Sequence, residues 1–271
     1  MNKVAFAGAV VLLSAGVASA ADLAARPYTK APAPIVSVYN WTGFYIGING
    51  GYGWNDSQDV GITGTPLIVA AQPATVPFAV RGVKPEGGLV GGTVGYNWQF
   101  GRGVAGIEAD FDWADIRNSR FVDLPAVGPT VRTSASQKID FFGTVRGRLG
   151  GLVADQFLLF VTAGLAYANV KSDANINEFF NLPVIGRQFI ASADEIRYGW
   201  TAGVGGEWKF NPNWSLKAEY LYYDLGSQTI RGNQSNPVNN IDFALYSFTT
   251  RGNIVRAGIN YQFGGPVVAK Y

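Results

Sequence analysis

The chain has 271 residues, with 21 Lys and Arg against 19 Asp and Glu, and its formal charge of +2 at pH 7 excludes the strong field that marks a nucleic-acid or acidic partner. It has no Cys and no His, and its single Met is Met1, which excludes disulfides and thiolate or imidazole chemistry. Glycine (35) and aromatic residues (14%) are abundant and charge is sparse (15%), yet beyond the N-terminus no apolar run is long enough for a membrane helix, so a membrane protein of this composition is a barrel.

Residues 1–20 read as a signal peptide. "MNK" is a short basic start, "VAFAGAVVLLSAGV" is an apolar core, and Ala18-Ser19-Ala20 is a small-x-small cleavage site. Residues 21–40, including "LAARPYTKAPAPIVSVYN", are Pro-rich and patternless, as in an extended periplasmic linker. A barrel is then expected over 41–263, followed by a short tail at 264–271.

Alternation opens at "WTGFYIGINGGYGW", where Phe44, Ile46, Ile48, Tyr52 and Trp54 oppose Gly43, Tyr45, Gly47, Asn49, Gly51 and Gly53. Seven further stretches repeat this division between an apolar and a small or polar face, at about 86–100, 104–116, 138–150, 157–170, 197–210, 214–224 and 251–263. In the third, Ile107, Phe111 and Trp113 oppose Glu108, Asp110 and Asp112. In the fourth, Ile139, Phe141, Val145 and Leu149 oppose Lys138, Asp140, Thr144, Arg146 and Arg148, with Phe142 intruding on the polar face. The connections alternate between tight ("GRG", "NPN") and long, and the long ones are rich in Gly, Pro, Asn and Ser. Eight strands, an even number, with short turns at one rim and long loops at the other are the plan of an outer-membrane barrel. The expected fold is therefore all-β, an eight-stranded antiparallel up-and-down transmembrane β-barrel with short periplasmic turns and long extracellular loops.

On the apolar face, Trp98, Phe100, Trp208, Phe210, Tyr261 and Phe263 gather near the short turns, and Tyr52, Trp54, Trp113, Tyr198 and Tyr222 near the long loops. Two aromatic bands match the two headgroup layers of a bilayer, so the apolar face meets lipid and the polar face lines the lumen. A lumen of about eight strands is wide enough only for side chains. Glu108, Asp110, Asp112, Lys138, Asp140, Arg146, Arg148, Glu207, Lys217, Glu219 and Arg256 are then expected to pair into a salt-bridged plug, because unpaired buried charge is costly. Near the end, Arg256, Gly258, Tyr261 and Phe263 in "RAGINYQF" have the pattern of a terminal-strand signal for the outer-membrane assembly machinery, although "GGPVVAKY" follows it.

Together, "YTKAPAP", "WTGFYIGINGGYGW", "GWTAGVGGEWKF", "LKAEYLYYDLG" and "VRAGINYQF" resemble the alphaproteobacterial outer-membrane immunogenic protein family of small porin-like barrels, over nearly the whole chain. The resemblance implies an eight-stranded barrel in the outer membrane, and surface-antigen, envelope-stabilising or, in one branch, haem-binding roles; it brings no catalytic residues. The partners expected are outer-membrane lipid, lipopolysaccharide and the assembly machinery, with no nucleic acid. The alternative function is a narrow porin or a ligand (haem-type) uptake protein; for haem, Tyr is the remaining common axial ligand, with Tyr223 and Tyr246 as candidates, and no cofactor is assigned. Related barrel enzymes use a His base that this chain lacks, so no enzyme activity is expected.

Overall fold

A computed structural model describes residues 39–64, 79–125, 130–179, 187–236 and 238–264. The expected signal peptide, the linker up to residue 38 and the tail from residue 265 lie outside the described residues. The strands are β1 (Gly43–Asn55), β2 (Gln58–Gly64), β3 (Ala79–Val83), β4 (Glu86–Phe100), β5 (Gly103–Pro125), β6 (Thr130–Ala154), β7 (Phe157–Phe179), β8 (Gln188–Lys209), β9 (Trp214–Asn236) and β10 (Val238–Gln262). β1 and β4 to β10 pair antiparallel in chain order, and β1 closes on β10 from Tyr45↔Gln262 to Asn55↔Gly252, so the wall is a ring of eight strands. β2 and β3 form an added hairpin, in which Gly61–Gly64 extend the sheet along Ala244–Ser247 of β10.

The wall strands β5 to β10 run to 22–25 residues. A tilted strand crosses a bilayer in about 9–11. Much of what reads as long loop in the sequence is therefore strand, a sheet that continues outward past the membrane. Its inward positions include buried Ala135, Ala174, Ile176 and Phe189, whereas Ser134, Ser136, Asp173 and Asn175 point outward.

The alternation assigns most faces as expected. Ile48 is 70% exposed on the lipid side and Leu165 68%, whereas Tyr45, Asn49 and Thr93 are buried in the lumen. Two bulges break the phase. The register shifts between Trp113 and Ile116 of β5 against β6, and between Ile139 and Phe141 of β6 against β7. An extra residue reverses which side chains point inward beyond it. Ile116 and Ile139 consequently pair with each other and are fully buried inside the barrel, while Lys138 and Asp140 turn to the outer surface. The expectation that Lys138 and Asp140 line the lumen, with Ile139 facing lipid, is thus corrected by one bulge.

The wall has one seam. β8 and β9 form no ladder between Ile190↔Asn233 and Trp200↔Asp224, although β7 pairs with β8 without interruption. Across it, Arg197 Nη2 donates to the carbonyls of Leu225 (2.9 Å) and Ser227 (3.0 Å), beside a turn at Gly226 (φ 75°). A guanidinium here supplies donors that the missing strand ladder would otherwise provide.

Candidate functional site: a filled lumen

The middle of the lumen is a charge network built by alternation. Glu108, Asp110 and Asp112 project inward from β5, and cross-strand register sets Glu108 opposite Arg146 and Asp110 opposite Thr144 on β6. From β9 and β10, Glu219 opposes Arg256, with Lys217 two residues from Glu219 on the same inward face. Ring closure brings these two sets together across the interior. Arg146 bonds Glu108, Asp110 (2.9 Å) and Glu219 (2.9 Å). Arg256 bonds Asp110 (2.6 Å), Asp112 (2.6 Å) and Glu219 (2.7 Å). Lys217 reaches Glu108 at 2.8 Å, and Arg148 pairs with Glu207 while its guanidinium lies 3.9 Å from the centre of the Phe160 ring.

Among the described residues the buried carboxylates are Glu108, Asp110, Asp112, Glu207 and Glu219, and the buried cations are Arg146, Arg148, Lys209, Lys217 and Arg256, five of each. The carboxylates pair with Arg146, Arg148, Lys217 and Arg256, whereas Lys209 bonds neutral oxygens; such pairing offsets a desolvation cost of several kcal/mol for each ion. Neutral groups add to it, although Asp110 Oδ1, Asp112 Oδ1, Arg146 Nε and Arg148 Nε have no hydrogen-bond partner among the described residues. Tyr45 Oη donates to Glu108 (2.7 Å), Thr144 Oγ1 to Asp110 (2.7 Å), and Asn260 Nδ2 to Glu207 (2.9 Å).

Tyr45 reaches Glu108 by lying over Gly95, its cross-strand partner. A Cβ at Gly95 would sit 2.5 Å from Tyr45 Cζ. Gly95→Ala is therefore expected to cost about 1–3 kcal/mol by displacing the ring. Reversible urea unfolding in lipid vesicles measures this, and a variant as stable as the wild type would show that the ring has room to move.

Apolar layers close the network on both sides. Toward the short turns, Trp41 is fully buried with Val104, Leu152, Leu158 and Phe160, and its indole Nε1 donates to the Asp155 carbonyl (3.1 Å). Lys209 lies 4.8 Å from the centre of the Trp41 ring and donates to the Asn40 carbonyl (2.7 Å) and to Gln262 Oε1. Toward the outside, Leu89, Ile116, Ile139, Phe142, Tyr223 and Ile254 form one cluster, and Val60, Ile62, Val80 and Val83 of the added hairpin pack into a second with Phe189, Tyr246 and Phe248. Sequence reasoning missed Trp41, which precedes the first strand and so belongs to no alternation. Lys209 was legible only as the inward-phase neighbour of Glu207.

The remaining candidates fall elsewhere. Lys138 and Lys171 both donate to Asp140 on the outer surface, at 2.6 and 2.7 Å, and these bonds hold the Asp140 carboxyl below its usual range. The four residues of the terminal-strand pattern divide between faces. Arg256 joins the network and Gly258 also lies on the inward side, where a Cβ would meet the Ile48 carbonyl at 2.5 Å; Tyr261 and Phe263 face outward, edge to face with centroids 5.0 Å apart. The haem candidates read as loop-proximal are both buried. Tyr223 Oη donates to Asn55 Oδ1 (2.6 Å) and Tyr246 Oη to the Phe189 carbonyl (3.1 Å), and burial pushes the Tyr246 phenol further from the tyrosinate that a metal would require.

Residues 7–263 match the model of the outer membrane protein beta-barrel domain family. The chain is 32% identical over 274 residues to the 31 kDa outer-membrane immunogenic protein of Brucella melitensis biotype 1, covering 97% of this chain and 100% of that one. It is 30% identical over 232 residues to the 22 kDa outer membrane protein of Rhizobium leguminosarum bv. viciae, covering 85% and 82% of the two chains. Among solved structures, the outer membrane protein OprG from Pseudomonas aeruginosa aligns at 12% identity and a TM-score of 0.46, covering 83% of this chain and 98% of that one.

Proposed function

The chain belongs to the alphaproteobacterial outer-membrane immunogenic protein family and is an outer-membrane β-barrel, and on that premise we propose that it acts as a structural and surface-presenting protein whose lumen is closed to solutes. The observation that carries this reading is the ion-paired network of five buried carboxylates and four buried cations that bridges the lumen between two apolar layers. An ion entering would have to break these pairs, at a cost of several kcal/mol for each buried charge left alone. The name of the Brucella relative as an immunogenic outer-membrane protein supports surface presentation, and the outward extension of the sheet gives the chain a rigid wall beyond the bilayer. The Arg256, Gly258, Tyr261 and Phe263 pattern is read as the contact with the assembly machinery. No enzymatic role is proposed: the inward acids of β5 are committed to ion pairs, and the chain has no His to act as a base.

Single-channel conductance in a planar bilayer tests the closed lumen. Barrels whose folding is verified by the difference in gel mobility before and after heating are expected to show no current steps. Discrete steps from such barrels would make the protein a porin and overturn the proposal.

A further inference from the structure

Beyond the outer aromatic band the wall opens where β8 and β9 part. Residues 191–199 of β8 and 225–232 of β9 lie in continuous strands, yet no ladder joins them over that span. Each is held extended by its other neighbour, β8 by β7 from Asn177↔Gln188 to Phe157↔Trp208, and β9 by β10. The opening begins where β9 bulges. Leu225 and Gly226 stand against Thr250 alone on β10, and Gly226 takes a left-handed φ of 75°. A bulge adds local twist, which carries β9 away from β8. Glycines allow close approach at both ends of the opening: a Cβ at Gly199 would meet the Asp224 carbonyl oxygen at 1.9 Å, and one at Gly232 the Ile190 carbonyl oxygen at 2.8 Å.

Water reaches this seam. Ala191 is buried on the inward phase of β8, whereas Glu195, four residues along on the same phase, is exposed. In an antiparallel sheet each strand directs alternate backbone groups to its two neighbours, so both lips of the seam present N–H and C=O groups that no strand meets. Two side-chain bridges stand in for the ladder. Arg197 Nη2 holds the carbonyls of Leu225 and Ser227, and Gln228 Nε2 donates to Glu195 Oε2 (2.8 Å). Next to the seam, Ser172 pairs with Ala193; it is fully buried, and its Oγ has no hydrogen-bond partner among the described residues. On the outward face the lip of β8 carries Ile196 (51% exposed) and Tyr198 (73% exposed), neither with a ladder partner on β9.

We propose that the seam receives an extended segment of a partner polypeptide, which docks at the cell surface as an added strand between β8 and β9. Rows of donors and acceptors at the two-residue repeat of a strand are the complement of a peptide backbone. Two sheet spacings, about 10 Å, must separate the lips to admit it. Arg197 therefore swings out and yields the Leu225 and Ser227 carbonyls to the incoming strand; it is a placeholder that keeps them bonded while the seam is empty. The span between the two glycines sets the docked length at about six residues. Outward side chains of the segment lie beside Ile196 and Tyr198, which favours β-branched or aromatic residues there. An inward one lies near Ser172, whose hydroxyl is available to it. The site rests on the outer-membrane placement of the barrel and does not depend on whether the lumen conducts.

The test is hydrogen–deuterium exchange of the full mature chain in phosphatidylcholine nanodiscs, read by mass spectrometry with and without a millimolar excess of the peptide acetyl-Lys-Thr-Ile-Thr-Val-Thr-Lys-amide. In the free protein the seam amides of β8 and β9 are expected to exchange about tenfold faster than those of β7 at the same height, and the peptide should slow them by a similar factor while β5 to β7 stay unchanged. An analogue N-methylated at Ile and Val keeps every side chain but loses its backbone donors toward one flank, and should give no protection. Arg197→Ala releases both carbonyls and should bind the peptide about tenfold more tightly. Each protein is first checked for the heat-dependent gel mobility of a folded barrel. The proposal is overturned by seam amides that exchange as slowly as those of β7 in the free protein, by the absence of protection with the peptide, by equal protection from the N-methylated analogue, or by a folded Arg197→Ala variant that binds no more tightly than the wild type. Because this readout is amide exchange and the lumen test is conductance, either can fail while the other stands.

Discussion

Arg256→Met lowers the stability of the folded barrel by about 3–5 kcal/mol, the expected cost of removing one partner from a buried ionic cluster. Arg256 is the point of greatest leverage because of what it leaves behind. Asp110 and Glu219 both keep Arg146 as a partner, and Glu219 keeps Lys217 as well. Asp112, fully buried, has Arg256 as its ion-pair partner among the described residues. Met fills much of the volume of Arg, so the loss reports charge more than cavity. The second half of the experiment is Asp112→Asn in the same chain. Neutralising the orphaned carboxylate should return a substantial part of the loss, and the coupling in the double-mutant cycle should exceed about 1 kcal/mol. Reversible urea unfolding in lipid vesicles supplies the numbers. If Arg256→Met cost less than about 1 kcal/mol, water would have to reach Asp112, and the closed lumen would be wrong.

Val145→Arg carries the second large effect and tests the opposite face. Val145 is 54% exposed on the lipid side of β6, four residues from Phe141 in one direction and four from Leu149 in the other. Leu149 shares its cross-strand row with Ala105 and Trp98, so Val145 lies between the two aromatic bands. A charge there should cost about 2–4 kcal/mol, the value for the bilayer midplane. Ser134→Arg, outward on the same strand but beyond the outer band, should change stability by no more than about 0.5 kcal/mol. Equal effects at the two positions would mean that β6 is not threaded through the bilayer as described. Thr144→Arg provides a third arm. Thr144 is fully buried against Asp110, so an arginine there should destabilise by crowding, independently of lipid thickness.

Both predictions draw on features of unequal visibility in the sequence. The lipid face at Val145 is legible because alternation persists unbroken from Phe142 to Leu149, and a period of two needs no partner to be read. Lys138 and Asp140 lie on the other side of a bulge that has no compositional mark, since no Gly or Pro occupies it. Extrapolating the same period through the bulge placed both residues inside and Ile139 outside, the reverse of the structure. The outward continuation of the strands was hidden for another reason. Ser134, Ser136, Asn175 and Asn177 have the composition of a loop, and only their burial partners, Thr133, Ala135, Ala174 and Ile176, reveal a two-sided sheet.

By itself the sequence determined the all-β wall and, short of the bulges in β5 and β6, which face of each stretch meets lipid, because these follow from composition and from a local period of two. It also placed acids and bases on the inward face. Tertiary structure alone decided which acid meets which base. Asp112 finds Arg256 because β1 closes on β10 and the registers of all the intervening strands together set the height at which opposite walls face each other. No single strand encodes that sum. The same dependence on ring closure explains why Trp41 becomes a stopper and why the β2–β3 hairpin packs into the outer apolar cluster, whereas one bulge residue moves Lys138 and Asp140 from the expected plug to the outer surface.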